Sequence, residues 1–121
     1  MNVGQLYALQ AKKMRQKPAV IYHGKVYTHW ELNSRSNRLA HALLRLGYRK
    51  GEHVVVLSKN HLEYPVIMLG AAKIGISFTP LNYRLTVEEL LSIVRHCKPR
   101  GIFFTCDFLD AVHALRKEVL I

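Results

Sequence analysis

Apolar positions change rhythm along the chain, and each rhythm implies a different element. Near the N-terminus Val3, Leu6, Tyr7 and Leu9 recur at helical spacing, so a short helix up to Arg15 is expected with those four on its apolar side. Pro18 stops it. Ala19–Tyr22 and Lys25–Thr28 then read as two short strands around His23-Gly24, a two-residue hairpin signal. A second helix is announced by Thr28-His29-Trp30-Glu31, which has the form of a capping box. Leu32, Ser36, Leu39, Leu43 and Leu46 fall on one face of it, with Ala40 beside them, and Gly47 supplies a left-handed stop.

From His53 onward, continuous apolar runs alternate with amphipathic ones. His53–Leu57 is β-branched without alternation, the pattern of a parallel strand buried on both faces. Asn60 is placed to cap the next helix, although Pro65 implies that regular hydrogen bonding begins later. Val66–Ile74 is apolar nearly all round and predicts a helix covered on more than one side. Gly75 ends it, and Ile76–Thr79 makes a second buried strand closed by Pro80. Thr86-Val87-Glu88-Glu89 is another capping box, with Val87, Leu90, Leu91 and Val94 forming a single stripe. Lys98-Pro99 breaks that helix. Gly101–Thr105 is a third strand, and Asp107 can cap a last helix running through Lys117. The expected fold class is α/β: a doubly wound, mainly parallel sheet with right-handed βαβ crossovers, preceded by a short helix and a β-hairpin.

Composition narrows the function classes. The chain has 121 residues, half of them hydrophobic, enough for one packed domain. No signal peptide is legible, and the most apolar segment, Val66–Phe78, is too short to span a bilayer and contains Lys73. A cytoplasmic location is expected. Cys97 and Cys106 lie outside any Cys-x-x-Cys pattern and the seven histidines are scattered, so neither a metal site nor a disulfide is expected, and the thiols read as buried or half-buried. A net charge of +10 could favour nucleic acid or an anionic membrane surface. The distribution argues against both, because only Lys12, Lys13, Arg15 and Lys17 form a dense run. Arg35, Arg38, Arg45, Arg49 and Lys50 follow a helix and its exit as a solvated face.

One segment poses a chemical question. Leu69–Asn82, LGAAKIGISFTPLN, brackets a lysine between two glycines, as a phosphate loop would. Such a loop needs a strand before it and a helix after it, so that free N–H groups meet the anion. Here the order is reversed. Gly70 is a packing glycine and Gly75 a helix stop. A ligand is better sought at the carboxyl ends of the strands, at Ser58-Lys59-Asn60, Leu81-Asn82-Tyr83-Arg84 and Cys106-Asp107. Arg84 could meet an anion there, but pairing with Glu88 is the expected role. His53 and Tyr83 read as packing or edge residues. No Ser/His/Asp or paired-carboxylate constellation is present, and Ser58-Lys59 stands where a receiver-type phosphoacceptor would need an acid.

Together the motifs resemble those of the AMP-forming acyl-CoA synthetases, the adenylate-forming superfamily. Tyr27-Thr28-His29-Trp30-Glu31-Leu32 is similar to their Tyr-Thr-Tyr-x-Glu-Leu opening motif. Asn37-Arg38-Leu39-Ala40, Gly47, Lys50-Gly51, Val54–Leu57 and Asn60 resemble the next landmarks. LGAAKIGISFTPLN followed by RLTVEEL (Arg84–Leu90) resembles the family's Leu-Lys-x-Gly-x-x-x-x-Pro-Leu-Asn signature and its continuation. Asn82, where peptide-synthetase modules usually carry aspartate, points toward acyl- or aryl-CoA ligases. The resemblance runs from about Pro18 to about Thr105 and implies a carboxylic acid substrate for the full-length enzyme, with ATP, magnesium and coenzyme A as its cofactors.

The family's Ser/Thr/Gly-rich phosphate loop, metal-binding glutamate and mobile C-terminal domain have no counterpart within residues 1–121. Those residues therefore read as the N-terminal portion of a larger AMP-binding domain. No catalytic, cofactor-binding or metal-binding residue is assigned, and inactivity alone is expected, with no cofactor bound by this chain alone. The alternatives are a non-catalytic binding or regulatory module that pairs with another chain, and a basic nucleic-acid-binding domain. An exposed apolar surface would imply self-association or a protein partner.

Overall fold

A computed structural model describes residues 2–121, which divide into two compact units. The first unit takes the described residues through Gly51 together with Asn60–Ile76. It contains α1 (Val3–Lys13), β1 (Pro18–Tyr22), β2 (Lys25–Thr28), α2 (His29–Arg45) and α3 (Tyr64–Lys73). The second takes Glu52–Lys59 and Ser77–Ile121, with β3 (His53–Leu57), β4 (Ser77–Pro80), α4 (Val87–Cys97), β5 (Gly101–Phe104), a 3-10 turn at Cys106–Phe108 and α5 (Leu109–Glu118).

In the first unit, β1 and β2 pair antiparallel as predicted, with Tyr22 opposite Lys25. His23 and Gly24 both take positive φ (48° and 78°), the geometry of a primed hairpin turn. Helix α2 buries Leu32, Ser36, Ala40 and Leu43, and also Asn33, which the apolar pattern had missed. Leu46 was placed on that face but is 68% exposed. It sits at the C-cap, and the Schellman bonds that follow it, Gly47 N–H to Leu44 and Tyr48 N–H to Leu43, turn the chain away from the helix axis. The α2 capping box is half made. Thr28 Oγ1 accepts the Glu31 N–H at 3.2 Å without the return bond from Glu31, Thr28 being also the last residue of β2, in register with Pro18.

Helix α1 turns only part of its expected face inward. Tyr7 packs on the core cluster of the first unit as expected, but Val3, Leu6 and Leu9 are exposed and the fully buried residues are Gly4 and Ala11. The reason is close packing on α3: a Cβ on Gly4 would lie 2.5 Å from Lys73 Cγ and 2.6 Å from the Lys73 backbone nitrogen. Only a residue without a side chain fits there, so the smallest face wins over the most apolar one. The helix starts at an Asn2 capping box with Gln5 and ends at Lys13, two residues before the expected Arg15.

Helix α3 buries Val66, Leu69, Gly70 and Ala71 and leaves Met68 44% exposed. It touches both α1 and α2, which accounts for an apolar sequence nearly all round. Asn60 does not cap it. Glu63 holds the cap position without a side-chain bond, and Pro65 lies in the first turn, where its missing N–H costs nothing.

In the second unit the three strands are parallel, in the order β4-β3-β5. The β3 valines Val54, Val55 and Val56 and then Leu57 are each exposed by 1% or less, as the unalternating run predicted. Val55 and Leu57 pack with Leu81, Leu90, Val94, Val112 and Leu115 into one core cluster. Helix α4 has the complete capping box predicted at Thr86 and Glu89. Lys98 ends it in the left-handed region at φ 48°. Asp107 does not cap α5; it lies inside the 3-10 turn, and Phe108 occupies the cap position. No helix among the described residues is long and apolar enough to cross a membrane.

Candidate functional site

Three places gather polar side chains. The first is the carboxyl edge of the sheet in the second unit. Backbone bonds carry the chain off each strand, Leu81 N–H to Val56 O at 2.8 Å and Thr105 N–H to Leu57 O at 3.3 Å. Asn82 Oδ1 then accepts the Arg84 N–H at 3.0 Å, a local turn that projects Tyr83 and Arg84. Lys59 Nζ lies 5.6 Å from the Tyr83 ring centre and Arg84 Cζ 5.7 Å from it, so one tyrosine faces two cations. Tyr83 in turn packs on Phe108 at 5.9 Å.

Arg84 does not pair with Glu88. Ion pairs among the described residues join Arg35 to Glu63, Arg95 to Glu118 and Arg100 to Glu52. Its guanidinium is used against the neighbouring ring, which needs no reach along the helix. Thr105 Oγ1 is buried at this edge with no hydrogen-bond partner among the described residues. His53 Nε2 shares a hydrogen bond with Thr79 Oγ1, the packing role expected of it. Cys106 is exposed rather than buried because it opens the 3-10 turn, while Cys97 is half-buried, and both thiols are free.

The second place is Lys73, the lysine of the glycine pair. Its ammonium donates to Asn33 Oδ1 at 2.6 Å, Asn37 Oδ1 at 2.7 Å, Ser36 Oγ at 2.8 Å and Asn33 O at 3.3 Å. Asn33, Ser36 and Asn37 stand one turn apart on α2, so three residues of one helix ring a charge carried by another. Burial lowers the Lys73 pKa from 10.5 to about 8. Asn2 Nδ2 adds a bond to the Lys73 carbonyl at 3.2 Å, tying in the start of α1. This lysine is a structural clamp, turned away from any phosphate-loop role. Its sequence signal was Ser36, a polar residue on an otherwise apolar face.

The third is a cleft of about 520 Å³ in the first unit, lined by Tyr22, Lys25, Tyr27, Arg35, His61 and Glu63 among others. The Tyr27 hydroxyl donates to Glu63 Oε1, and Arg35 lies 4.3 Å above the Tyr27 ring and 4.0 Å from the same carboxylate. Burial, then the bond to Glu63, raise the Tyr27 pKa above 10. His61 Nδ1 accepts the Glu63 N–H at 3.1 Å, which fixes the ring proton on Nε2. The carboxylate is thus committed to holding the start of α3. No group of three His, Cys, Asp or Glu side chains that could hold a metal occurs among the described residues.

A parallel α/β unit takes ligands at the carboxyl ends of its strands, and comparison with known proteins gives the family. Residues 7–120 match the profile of the family described as AMP-binding enzyme. The chain belongs to that family. It is 33% identical over 106 residues to human long-chain fatty acid transport protein 6, covering 87% of this chain and 17% of that protein. It is 35% identical over 111 residues to the fatty acid–[acyl-carrier-protein] ligase ScoC of Streptomyces coeruleorubidus, covering 92% and 21%. The solved fatty acyl CoA synthetase of Mycobacterium tuberculosis superposes with a TM-score of 0.91 at 26% identity, over 98% of this chain and 24% of that one. The chain thus spans less than a quarter of the length of each of these three.

Proposed function

We propose that these residues are the N-terminal portion of the large AMP-binding domain of an ATP-dependent carboxylic acid–CoA ligase, acting in the cytoplasm. The longer enzyme would use ATP and magnesium to convert a carboxylate, a poor electrophile, into an acyl-adenylate. Coenzyme A would then take the acyl group as a thioester. A fatty acid is the favoured substrate class, because relatives named for fatty acids match most of this chain.

In this reading these residues do not complete an ATP or magnesium site by themselves: the one lysine between glycines is taken up by Asn33, Ser36 and Asn37. No step of the reaction is therefore assigned to a residue of this chain. Its part is to shape the framework and to present the cationic edge formed by Lys59 and Arg84, where an anionic group of substrate or cofactor would sit.

The observation that carries this reading is the family match over residues 7–120 combined with the small share of each relative covered. The test is ATP–pyrophosphate exchange by the purified chain across a panel of fatty and aromatic acids. No exchange above background is expected. Acid-dependent exchange by these 121 residues alone would overturn the assignment.

A further inference from the structure

The outward apolar side chains of α1 leave an unexplained surface. Gly4 and Ala11 face the protein. At about 100° per residue, Leu6 stands about 200° from Gly4, with Val3 and Leu9 on either side of it and Lys13 directly opposite Gly4. Val3 is 70% exposed, Leu6 52% and Leu9 45%. Tyr7 alone of the four expected apolar residues packs on the core, and Val3, Leu6 and Leu9 are presented outward with Gln10 and Lys13 among them.

The charge beside this stripe has one sign. Lys12, Lys13, Arg15 and Lys17 follow within eight positions of Leu9, and no acidic residue occurs before Glu31. None of the four forms an ion pair among the described residues; Arg15 instead stacks on Trp30 at 4.3 Å, with that indole 41% exposed.

We infer that α1 and the basic run after it form a contact surface for an anionic lipid bilayer. The apolar stripe would enter the boundary between headgroups and acyl chains, and the lysines would meet lipid phosphates. Two weak signals side by side give reversible attachment where either alone would not. The basic run beside the stripe, with no acid before Glu31, favours an anionic surface over a second copy of this chain, which would bring the same charges to the contact. A nucleic-acid backbone would match the charges but has no place for Val3 and Leu6. The inference stands apart from the proposed ligase function, since it involves neither Lys59 nor Arg84.

Vesicle co-sedimentation of the whole chain tests it, with phosphatidylcholine vesicles compared with vesicles that also contain phosphatidylglycerol, at about 0.15 M salt. Binding to the anionic vesicles only is expected. Leu6→Ser with Leu9→Ser, which leaves every charge in place, should weaken binding about tenfold. Lys12→Gln with Lys13→Gln should weaken it by at least as much. All four positions are exposed, so the variants should keep the wild-type melting transition. The inference is overturned by no binding to anionic vesicles, or by binding that ignores the leucine substitutions. It is equally overturned by a dimer that Leu6→Ser dissociates, which would give the stripe to a second copy.

Discussion

Lys73 is the residue on which most of the first unit converges. Its four acceptors are supplied by three residues of α2, and its own backbone contacts Gly4 and Asn2 of the α1 region. Lys73→Met should cost about 2 kcal/mol in urea unfolding, because Asn33 and Ser36 are buried and would lose their charged partner. The pH dependence has a definite sign. Lys73 titrates near 8 in the folded chain and near 10.5 when unfolded, so between those values the unfolded state binds more protons and stability rises with pH. Burial raises the pKa of Tyr7, Tyr27 and Tyr64 above 10, which acts in the opposite direction once pH passes 10. Urea midpoints should climb from pH 8 toward 10 and then turn over. In Lys73→Met the climb should vanish; if it persists, another group carries it.

Individual elements show which local signals survive folding. The Thr86–Glu89 box formed completely because its four residues need only each other. The Thr28 box formed half, since Thr28 belongs to a strand as well as to a helix start. Asn60 and Asp107 were plausible caps by residue type, yet the chain enters both helices through other residues. Helix α1 was legible as a helix, but its buried face was not, because periodicity measures apolarity and the contact with α3 selected for size. That difference can be measured. Gly4→Ala should destabilise by about 1–3 kcal/mol through overpacking against Lys73 backbone atoms. At Gly70 an added Cβ meets Leu39 Cδ2 at 3.0 Å and Ser36 O at 3.1 Å, a milder conflict offset by about 1 kcal/mol of helix propensity. Gly70→Ala should therefore lie close to wild type in thermal melts. A Gly4→Ala protein as stable as Gly70→Ala would remove close approach as the reason that α1 turns its leucines outward.

Across the whole molecule, β3 is the one strand of the parallel sheet paired on both sides, and four of its residues are almost fully buried. Hydrogen exchange should reach the amides of Val55 and Val56 last, and those of Lys25 and Val26 in the exposed hairpin much earlier. Hairpin amides that outlast β3 would mean that the sheet is not the most stable part of the chain. The sequence by itself determined the order and type of the elements, the parallel sheet, the hairpin turn and the family. These rest on residues near one another in the chain: β-branched runs, glycine stops, capping boxes and motifs in fixed order. Only the tertiary structure decided that α1 turns its leucines outward, that Lys73 clamps α2, and that Arg84 lies against Tyr83 rather than Glu88. The first two are fixed by the space and charge left between segments far apart in the chain, 71 residues in the case of Asn2 and Lys73, which no local pattern records, whereas Arg84 meets the ring next to it in sequence.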